Sequence, residues 1–201
     1  SSSPRSISYY DGFNRLVSTD EIGPDGESLT QLTRYDYSSR LWMESLPFKS
    51  GSDTFFTEKE YDVLDRLVKA TAPDGSTIEF SHTGLSQTRK EPSGKTVHTY
   101  TDHRGQVQRI STVGGTDIHY EYDLFGNKTS TWVGNRYEIV SEYNSLGQKT
   151  ELEDPLLSSV RYEYNAFGEL VRKIKNNNRD TFTYRYDKLG RIIFESYSGS
   201  S

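Results

Sequence analysis

Apolar and polar side chains change places at almost every step along much of the chain. Tyr120 and Tyr122 flank Glu121, Tyr162 and Tyr164 flank Glu163, and Tyr184 and Tyr186 flank Arg185. A period of two places successive side chains on opposite faces of a strand. Short runs of the same character recur: RLVS from Arg15, RLVKAT from Arg66, ELVRKI from Glu169 and RIIFES from Arg191. No stretch keeps a helical period beyond a turn or two. Turn residues close the runs: PDG at Pro24 and Pro73, PSG at Pro92, VGG at Val113, VGN at Val133, DP at Asp154 and NNN at Asn176. Strands of about seven residues bounded by such turns predict β-hairpins throughout.

The hairpins repeat. Aligned on the residue that ends the reversal, the chain shows nine units, with anchors at Asn14, Ser39, Asp65, Gly84, Gly105, Gly126, Gly147, Gly168 and Gly190. From Gly105 to Gly168 the spacing is 21 each time, and Gly190 follows after 22. The earlier spacings are 25, 26 and 19. Four residues before the anchors stand Tyr10, Tyr35, Tyr61, Phe80, Thr101, Tyr122, Tyr143, Tyr164 and Tyr186. Three before come Asp11, Asp36, Asp62, Ser81, Asp102, Asp123, Asn144, Asn165 and Asp187. Repeats of this length signal an array of supersecondary units. The organisation expected is a single array over residues 1–201: irregular repeats over 1–79, regular repeats of about 21 residues over 80–197, and a tail at 198–201.

Each position has a physical task. Asp or Asn opening a turn accepts a hydrogen bond from the backbone N–H two residues on. A glycine at the fourth position supplies the positive φ of a type I turn followed by a bulge. Asn14 and Asp65 belong to the other residue types that tolerate this conformation, and Ser39 suits it least. Phe13, Leu64, Phe125, Leu146, Phe167 and Leu189, one residue before their anchors, are expected to fold over the turn. Because lone hairpins are unstable in water, successive ones must pair edge to edge. The fold class is therefore all-β: about 18 strands in a continuous, strongly twisted antiparallel sheet, which must coil, curl or close.

Composition fits this picture and narrows the function. Hydrophobic residues are 32% of the 201, and mean hydropathy is −0.80. Fifteen Tyr against one Met and two Trp suit half-buried pleated surfaces. The net charge of −5, from 29 acidic and 24 basic residues, argues against a nucleic-acid partner. The one basic cluster, RKIKNNNR from Arg172, reads as a strand end and its loop. No apolar run approaches the roughly 18 to 20 residues of a membrane helix, so membrane insertion is not expected. Cysteine is absent, which excludes disulfides and thiolate metal sites. The chain opens SSSPRS without a signal-peptide pattern or an initiator Met, as a segment of something longer would.

YEYDLFGNK, YNSLGQK, YEYNAFGEL, YRYDKLGRI and YDVLDRLVKATAPDG resemble YD repeats, the tandem unit of bacterial RHS (rearrangement hotspot) proteins, of Tc-toxin shell subunits and of teneurins. The resemblance spans about Tyr9 to Tyr197, and the first third is similar to the opening segment of RHS proteins from Bacteroidetes-like bacteria. It implies a β-ribbon wound as a spiral shell or open β-solenoid, which in bacterial members encloses a variable C-terminal toxin. EDPLLSS at Asp154 lacks the Gly of the family's DPxG-type plug, so no lid or self-cleavage site carries over.

The chemistry-bearing residues are weighed against this scaffold. His82, His98, His103 and His119 fall in two neighbouring units but show no HExxH-type ligand spacing. Asp123 and Asp187 recur as turn openers, so a structural role is expected of them. NKT at Asn127 is formally a glycosylation sequon at a turn exit. No nucleophile elbow, P-loop or dinucleotide fingerprint is present. The expectation is a non-enzymatic wall segment of a larger secreted or cell-surface protein, without catalytic, cofactor or metal site. Its partners would be the rest of the same polypeptide, further repeats and a C-terminal toxin cargo; open sheet edges also allow self-association. The alternative is an extracellular module that binds glycans or surface proteins through tyrosine-lined faces. The repeat residues singled out are Tyr10, Asp11, Tyr61, Asp62, Tyr122, Asp123, Gly126, Tyr143, Asn144, Gly147, Tyr164, Asn165, Gly168, Tyr186, Asp187 and Gly190.

Overall fold

The computed structural model describes residues 5–23, 26–175 and 179–199. They form strands and turns with no helix, and every strand pairing in them is antiparallel. The turn signals at Pro24 and at Asn176 lie outside the described residues. The chain divides into two compact units, Ser1–Thr83 with Gln87–Thr96, and Gly84–Ser86 with Val97–Ser201.

In the first unit, β1 (Arg5–Tyr10) and β2 (Leu16–Ile22) form one hairpin. β3 (Ser28–Tyr35) pairs with β2 on one side and with β4 (Leu41–Ser45) on the other. Pro47, which has no N–H for a ladder, interrupts this second strand. After the break, β5 (Phe48–Lys49) returns to β3. The Ser45 hydroxyl, 2% exposed, fills the gap by accepting a hydrogen bond from the Leu32 N–H at 2.8 Å. This extra strand brings the total among the described residues to 19, one above the number the hairpins alone predict. β6 (Phe56–Tyr61) pairs with β4 and with β7 (Leu67–Thr71), and β7 pairs with β8 (Thr77–Thr83). The chain turns at Gly84 and Leu85 into β9 (Ser86–Lys90).

In the second unit the order is uninterrupted. It begins with β10 (Thr96–Thr101), β11 (Val107–Thr112), β12 (Ile118–Tyr122), β13 (Lys128–Val133) and β14 (Tyr137–Tyr143). It continues with β15 (Lys149–Glu153), β16 (Val160–Tyr164), β17 (Leu170–Lys175), β18 (Asp180–Tyr186) and β19 (Ile192–Gly199). Each strand pairs with its neighbours in sequence.

All nine anchors have positive φ, from 57° at Gly84 to 92° at Gly126. At eight of them the opener's N–H reaches the carbonyl four residues on, and the anchor's N–H returns to the opener's carbonyl, as at Asp123, Asn127 and Gly126. A β-bulge accompanies each closure, always just before the residue four ahead of the anchor, for example between Glu121 and Tyr122. Ser39, the least suited by type, sits at φ 64° with the same bonds, and its hydroxyl accepts from Arg15 Nη1 at 2.9 Å.

Two expectations need correcting. The residues before the anchors do not fold over the turns: Phe13 is 82% exposed, Phe125 87% and Phe167 89%, and Leu64, Leu146 and Leu189 project in the same way. The third residue of a type I turn stands at the ribbon's tip, with no strand of its own hairpin beneath it. The fourth unit also departs, because Phe80 and Ser81 lie inside β8. There the chain reverses through two residues, with Gly84 carrying the positive φ that a type II′ hairpin needs first.

Little of this is a hydrophobic core. Ile174 is the one buried hydrophobic residue among those described, beside the buried polar Ser45, Ser130 and Ser141. Most other strand side chains are half-covered by the next hairpin. Gly126→Val is expected to destabilise the second unit by about 1 kcal/mol or more, because a β-branched residue would be forced to positive φ. Its Cβ would also lie 3.0 Å from Gln106 Nε2. An unchanged melting temperature would refute the turn's role.

Candidate functional site

The recurring residues converge on the joint between one hairpin and the next. The opening Asp or Asn presents one oxygen to two backbone N–H groups. Asp62 Oδ1 accepts from Leu64 at 2.9 Å and from Arg66 at 3.0 Å; Asn165 Oδ1 accepts from Phe167 and Glu169, each at 3.0 Å. Asp11, Asp36, Asp102, Asp123, Asn144 and Asp187 do the same.

The opener's remaining atom meets a residue absent from the expected set, the one just after the anchor. At five of the six Asp openers a donor follows and bonds it: Arg15, Arg40, Arg66 and Arg191 donate through Nε to Asp11, Asp36, Asp62 and Asp187, and Asn127 donates through Nδ2 to Asp123, whereas Gln106, after Asp102, donates to the Gly126 carbonyl at 3.4 Å. Where the opener is Asn, an acceptor follows: Asn144 Nδ2 donates to Gln148 Oε1 and Asn165 Nδ2 to Glu169 Oε2. The pairing is visible in the sequence once opener and closer are read together.

These contacts set the carboxylates' acidity. The Arg66 guanidinium and backbone N–H hold Asp62 down at about 2. Hydrogen bonds from Arg15, Asn127 and Arg191 likewise lower Asp11, Asp123 and Asp187.

The tyrosine four before each anchor ties its hairpin to the preceding one. Its hydroxyl donates to the carbonyl two residues past the previous anchor: Tyr35 to Leu16, Tyr61 to Leu41, Tyr122 to Val107, Tyr143 to Lys128, Tyr164 to Lys149 and Tyr186 to Leu170, at 2.7–3.0 Å. Each such bond contributes about 0.5–1.5 kcal/mol. In the fourth unit His82 Nε2 meets the Leu67 carbonyl at 2.9 Å, and in the fifth the Thr101 hydroxyl bonds the Leu85 carbonyl at 3.0 Å. Burial raises the Tyr61, Tyr122 and Tyr164 hydroxyl pKa values. Tyr10, in β1, is 58% exposed.

The closer also reaches forward. Arg15 lies over the Tyr35 ring at 4.7 Å, and Arg40 lies over Tyr61 at 5.1 Å while bonding Asp65 Oδ1 at 2.8 Å. Gln148 Nε2 donates to the Gly168 carbonyl at 2.8 Å. In the second unit a Cβ added at Gly126, Gly147, Gly168 or Gly190 would meet the preceding closer first, at 3.0–3.5 Å: Gln106, Asn127, Gln148 and Glu169. The turns are thus stacked, each closer against the next anchor.

The histidines are not gathered. Besides His82, His98 is opposite Ser111 in β10, His103 is in an exposed turn, and His119 is opposite Arg109 and Trp132. No group of three metal-ligating side chains converges among the described residues. An open groove of about 680 Å³ lies beside Phe167, Val171, Tyr184 and Tyr186, with Glu169 and Asp187 at its edge.

This geometry defines an all-β protein of tandem, side-chain-capped hairpins. No family profile matches the chain. It is 28% identical over 141 residues to the tRNA3(Ser)-specific nuclease WapA of Bacillus spizizenii, covering 68% of this chain and 6% of that protein. It is 27% identical over 140 residues to double-stranded DNA deaminase toxin A of Burkholderia cenocepacia, covering 68% and 10%. Against human teneurin-4 the figures are 26% over 210 residues, 96% and 7%. Among solved structures, TcdB2-TccC3 without its hypervariable C-terminal region superposes with a TM-score of 0.76 at 13% identity, over 96% of this chain and 12% of that one. TcdB2-TccC3-Cdc42 gives 0.75 at 13% identity, over 98% and 12%. The chain therefore spans about a tenth or less of the curated relatives it matches. With these relatives and this repeat, the chain fits the RHS/YD-repeat family.

Two measurements probe the capped turn. Stability contributed by a carboxylate of lowered pKa is present above its unfolded value and lost as pH falls through its folded one. For Asp62 that window runs from 3.8 down to about 2, so acid melts should show the melting temperature falling across it, and Asp62→Ala should flatten part of the fall. A flat profile in the native chain would contradict the assignment. Separately, Asn165→Asp replaces a hydrogen bond to Glu169 with two facing carboxylates and should cost about 1 kcal/mol at neutral pH. Adding Glu169→Arg, which recreates the Asp187–Arg191 pair, should restore the melting temperature; no recovery in the double variant would count against the pairing rule.

Proposed function

We propose that this chain is a wall segment of a larger secreted or cell-surface RHS/YD-repeat protein, a non-enzymatic stretch of a shell that encloses a C-terminal effector. The observation that carries this reading is the joint itself. Tyrosine hydroxyl, opener, anchor and closer are all engaged in holding one hairpin against the next, a mechanical task. The two bacterial relatives are named for nuclease and deaminase activities, and the chain covers only 6% and 10% of their lengths. An effector of that kind would lie outside this segment, with this segment as its container.

The alternative, a docking module for glycans or surface proteins, draws on the groove beside Tyr184 and Tyr186. It has less support, since the Tyr186 hydroxyl is already bonded to the Leu170 carbonyl. Limited proteolysis of the parent polypeptide separates the two. If the segment is wall, the C-terminal region stays protected, and replacing Tyr122, Tyr143 and Tyr164 together by Ala makes it cleavable. Equal cleavage with and without those substitutions would overturn the wall reading. Glycan binding lost on Tyr184→Ala would establish the alternative.

A further inference from the structure

Of the closers at the eight capped turns, Glu169 alone has a side chain with no donor. Arg15, Arg40, Gln106 and Gln148 each reach the next hairpin with an N–H. Asn127 and Glu169 instead turn an oxygen toward the next anchor, Gly147 or Gly190, and of the two only Glu169 is charged. A Gln at this position would keep the bond from the opener, as Gln148 keeps the one from Asn144, and would have an N–H to spare. The carboxylate therefore forgoes a contact that the neighbouring turn makes. A local rule broken without gain to the fold points to a site.

Glu169 stands at the edge of the open groove of about 680 Å³ beside Phe167, Val171, Tyr184 and Tyr186. The walls are β17 and β18, and each has a partner strand on both sides. At two other joints the corresponding place is filled from within. The guanidinium of Arg15 lies over Tyr35 at 4.7 Å, that of Arg40 lies over Tyr61 at 5.1 Å, and each bonds the side chain of the next anchor. At the Tyr143 joint the cation is Lys149, at 5.6 Å, and at the Tyr122 and Tyr164 joints a glutamine amide bonds the anchor's carbonyl. The cations around Tyr186 are turned elsewhere: Arg185 lies over Phe194 at 5.1 Å, Arg191 is bonded to Asp187, and Lys188 is exposed on the turn. The ring itself is positioned as Tyr61 is, its hydroxyl held by the Leu170 carbonyl as that of Tyr61 is held by Leu41.

We propose that this groove binds an arginine side chain of a separate, extended polypeptide. The guanidinium takes the place that Arg40 takes at its own joint, over the Tyr186 ring and against the Glu169 carboxylate. A planar guanidinium suits both contacts, because it stacks on an aromatic face and donates in a fork to a carboxylate. The groove is larger than one side chain, so an apolar neighbour of that arginine lies against Phe167 and Val171. The inference rests on the groove that the docking reading draws on, names the chemistry of the partner, and holds for a wall segment as well.

The probe is a blocked tripeptide, leucine-arginine-leucine, titrated into the chain while the side-chain resonances of Glu169, Tyr184 and Tyr186 are followed by NMR. The expected result is a saturable shift at all three, with binding about tenfold weaker when citrulline, the neutral isostere, replaces the arginine. Glu169→Gln should weaken binding by a similar factor while the melting temperature holds or rises, since the turn then gains the forward bond that Gln148 makes. Asn165→Asp combined with Glu169→Arg places the chain's own arginine in the groove and should abolish the shift at Tyr186. No saturable shift at Tyr184 and Tyr186, equal binding of the citrulline peptide, or undiminished binding by Glu169→Gln would overturn the proposal. Glycan binding lost on Tyr184→Ala, without binding of the arginine peptide, would overturn the arginine assignment and leave the docking reading standing; loss of both would remove the docking reading with it.

Discussion

The structure depends on one short-range contact: a side-chain oxygen at the start of a turn that accepts from two backbone N–H groups within four residues. It holds the next residues in a type I turn and delivers the anchor at positive φ. The positive φ creates the bulge, and the bulge decides which side chains of the second strand face which of the first. A slip of one residue in a sheet turns every side chain to the opposite face. With Asp123 holding Phe125 and Asn127, that slip is blocked at the tip of the hairpin, before the strands pair. The register between hairpins inherits the same origin, which is why one offset rule describes six joints across both units.

With one buried hydrophobic residue among those described, cohesion needs another source. Here it is distributed. At six joints a tyrosine hydroxyl meets a carbonyl of the preceding hairpin, and in two of them the preceding closer's guanidinium lies over the ring: Arg15 over Tyr35 at 4.7 Å, Arg40 over Tyr61 at 5.1 Å. No single joint is strong, but each contacts only its neighbours, so stability accumulates along the array as nearest-neighbour terms. This also explains the charged and polar composition. Tyrosine and the stems of Lys and Arg cover area that Leu and Ile would cover in a compact core.

Much of the architecture was legible in the sequence because its signals are local. The spacing of Tyr122, Asp123 and Gly126, repeated at Tyr143, Asn144 and Gly147, states strand, opener and anchor outright. What escaped was relational. Arg15, Asn127, Gln148 and Glu169 share no residue type, so a search for repeated letters passes over them; they share the hydrogen-bond role opposite to their opener's. The crest residues misled for a different reason. Phe125 and Phe167 are apolar and regular, which suggests cover, yet their backbone position directs them into solvent. Phe80 and Ser81 matched the alignment only in part, and there the two-residue turn that Gly84 permits replaced the capped one.

The opener–closer rule also shows what kind of constraint the fold imposes. It is a constraint of hydrogen-bond direction, not of charge. Asp187 with Arg191 is ionic, Asn144 with Gln148 is neutral, and Asn165 with Glu169 joins a neutral donor to a carboxylate; all three close the same turn. Because a donor and an acceptor can be supplied by many residue pairs, the repeat leaves most of its positions free once the openers, the anchors and the tyrosines are fixed. A fold held by so few requirements can diverge far while keeping its path, which is the relation found here: a TM-score of 0.76 at 13% identity. The same economy lets hairpins of different composition meet their neighbours by one set of rules.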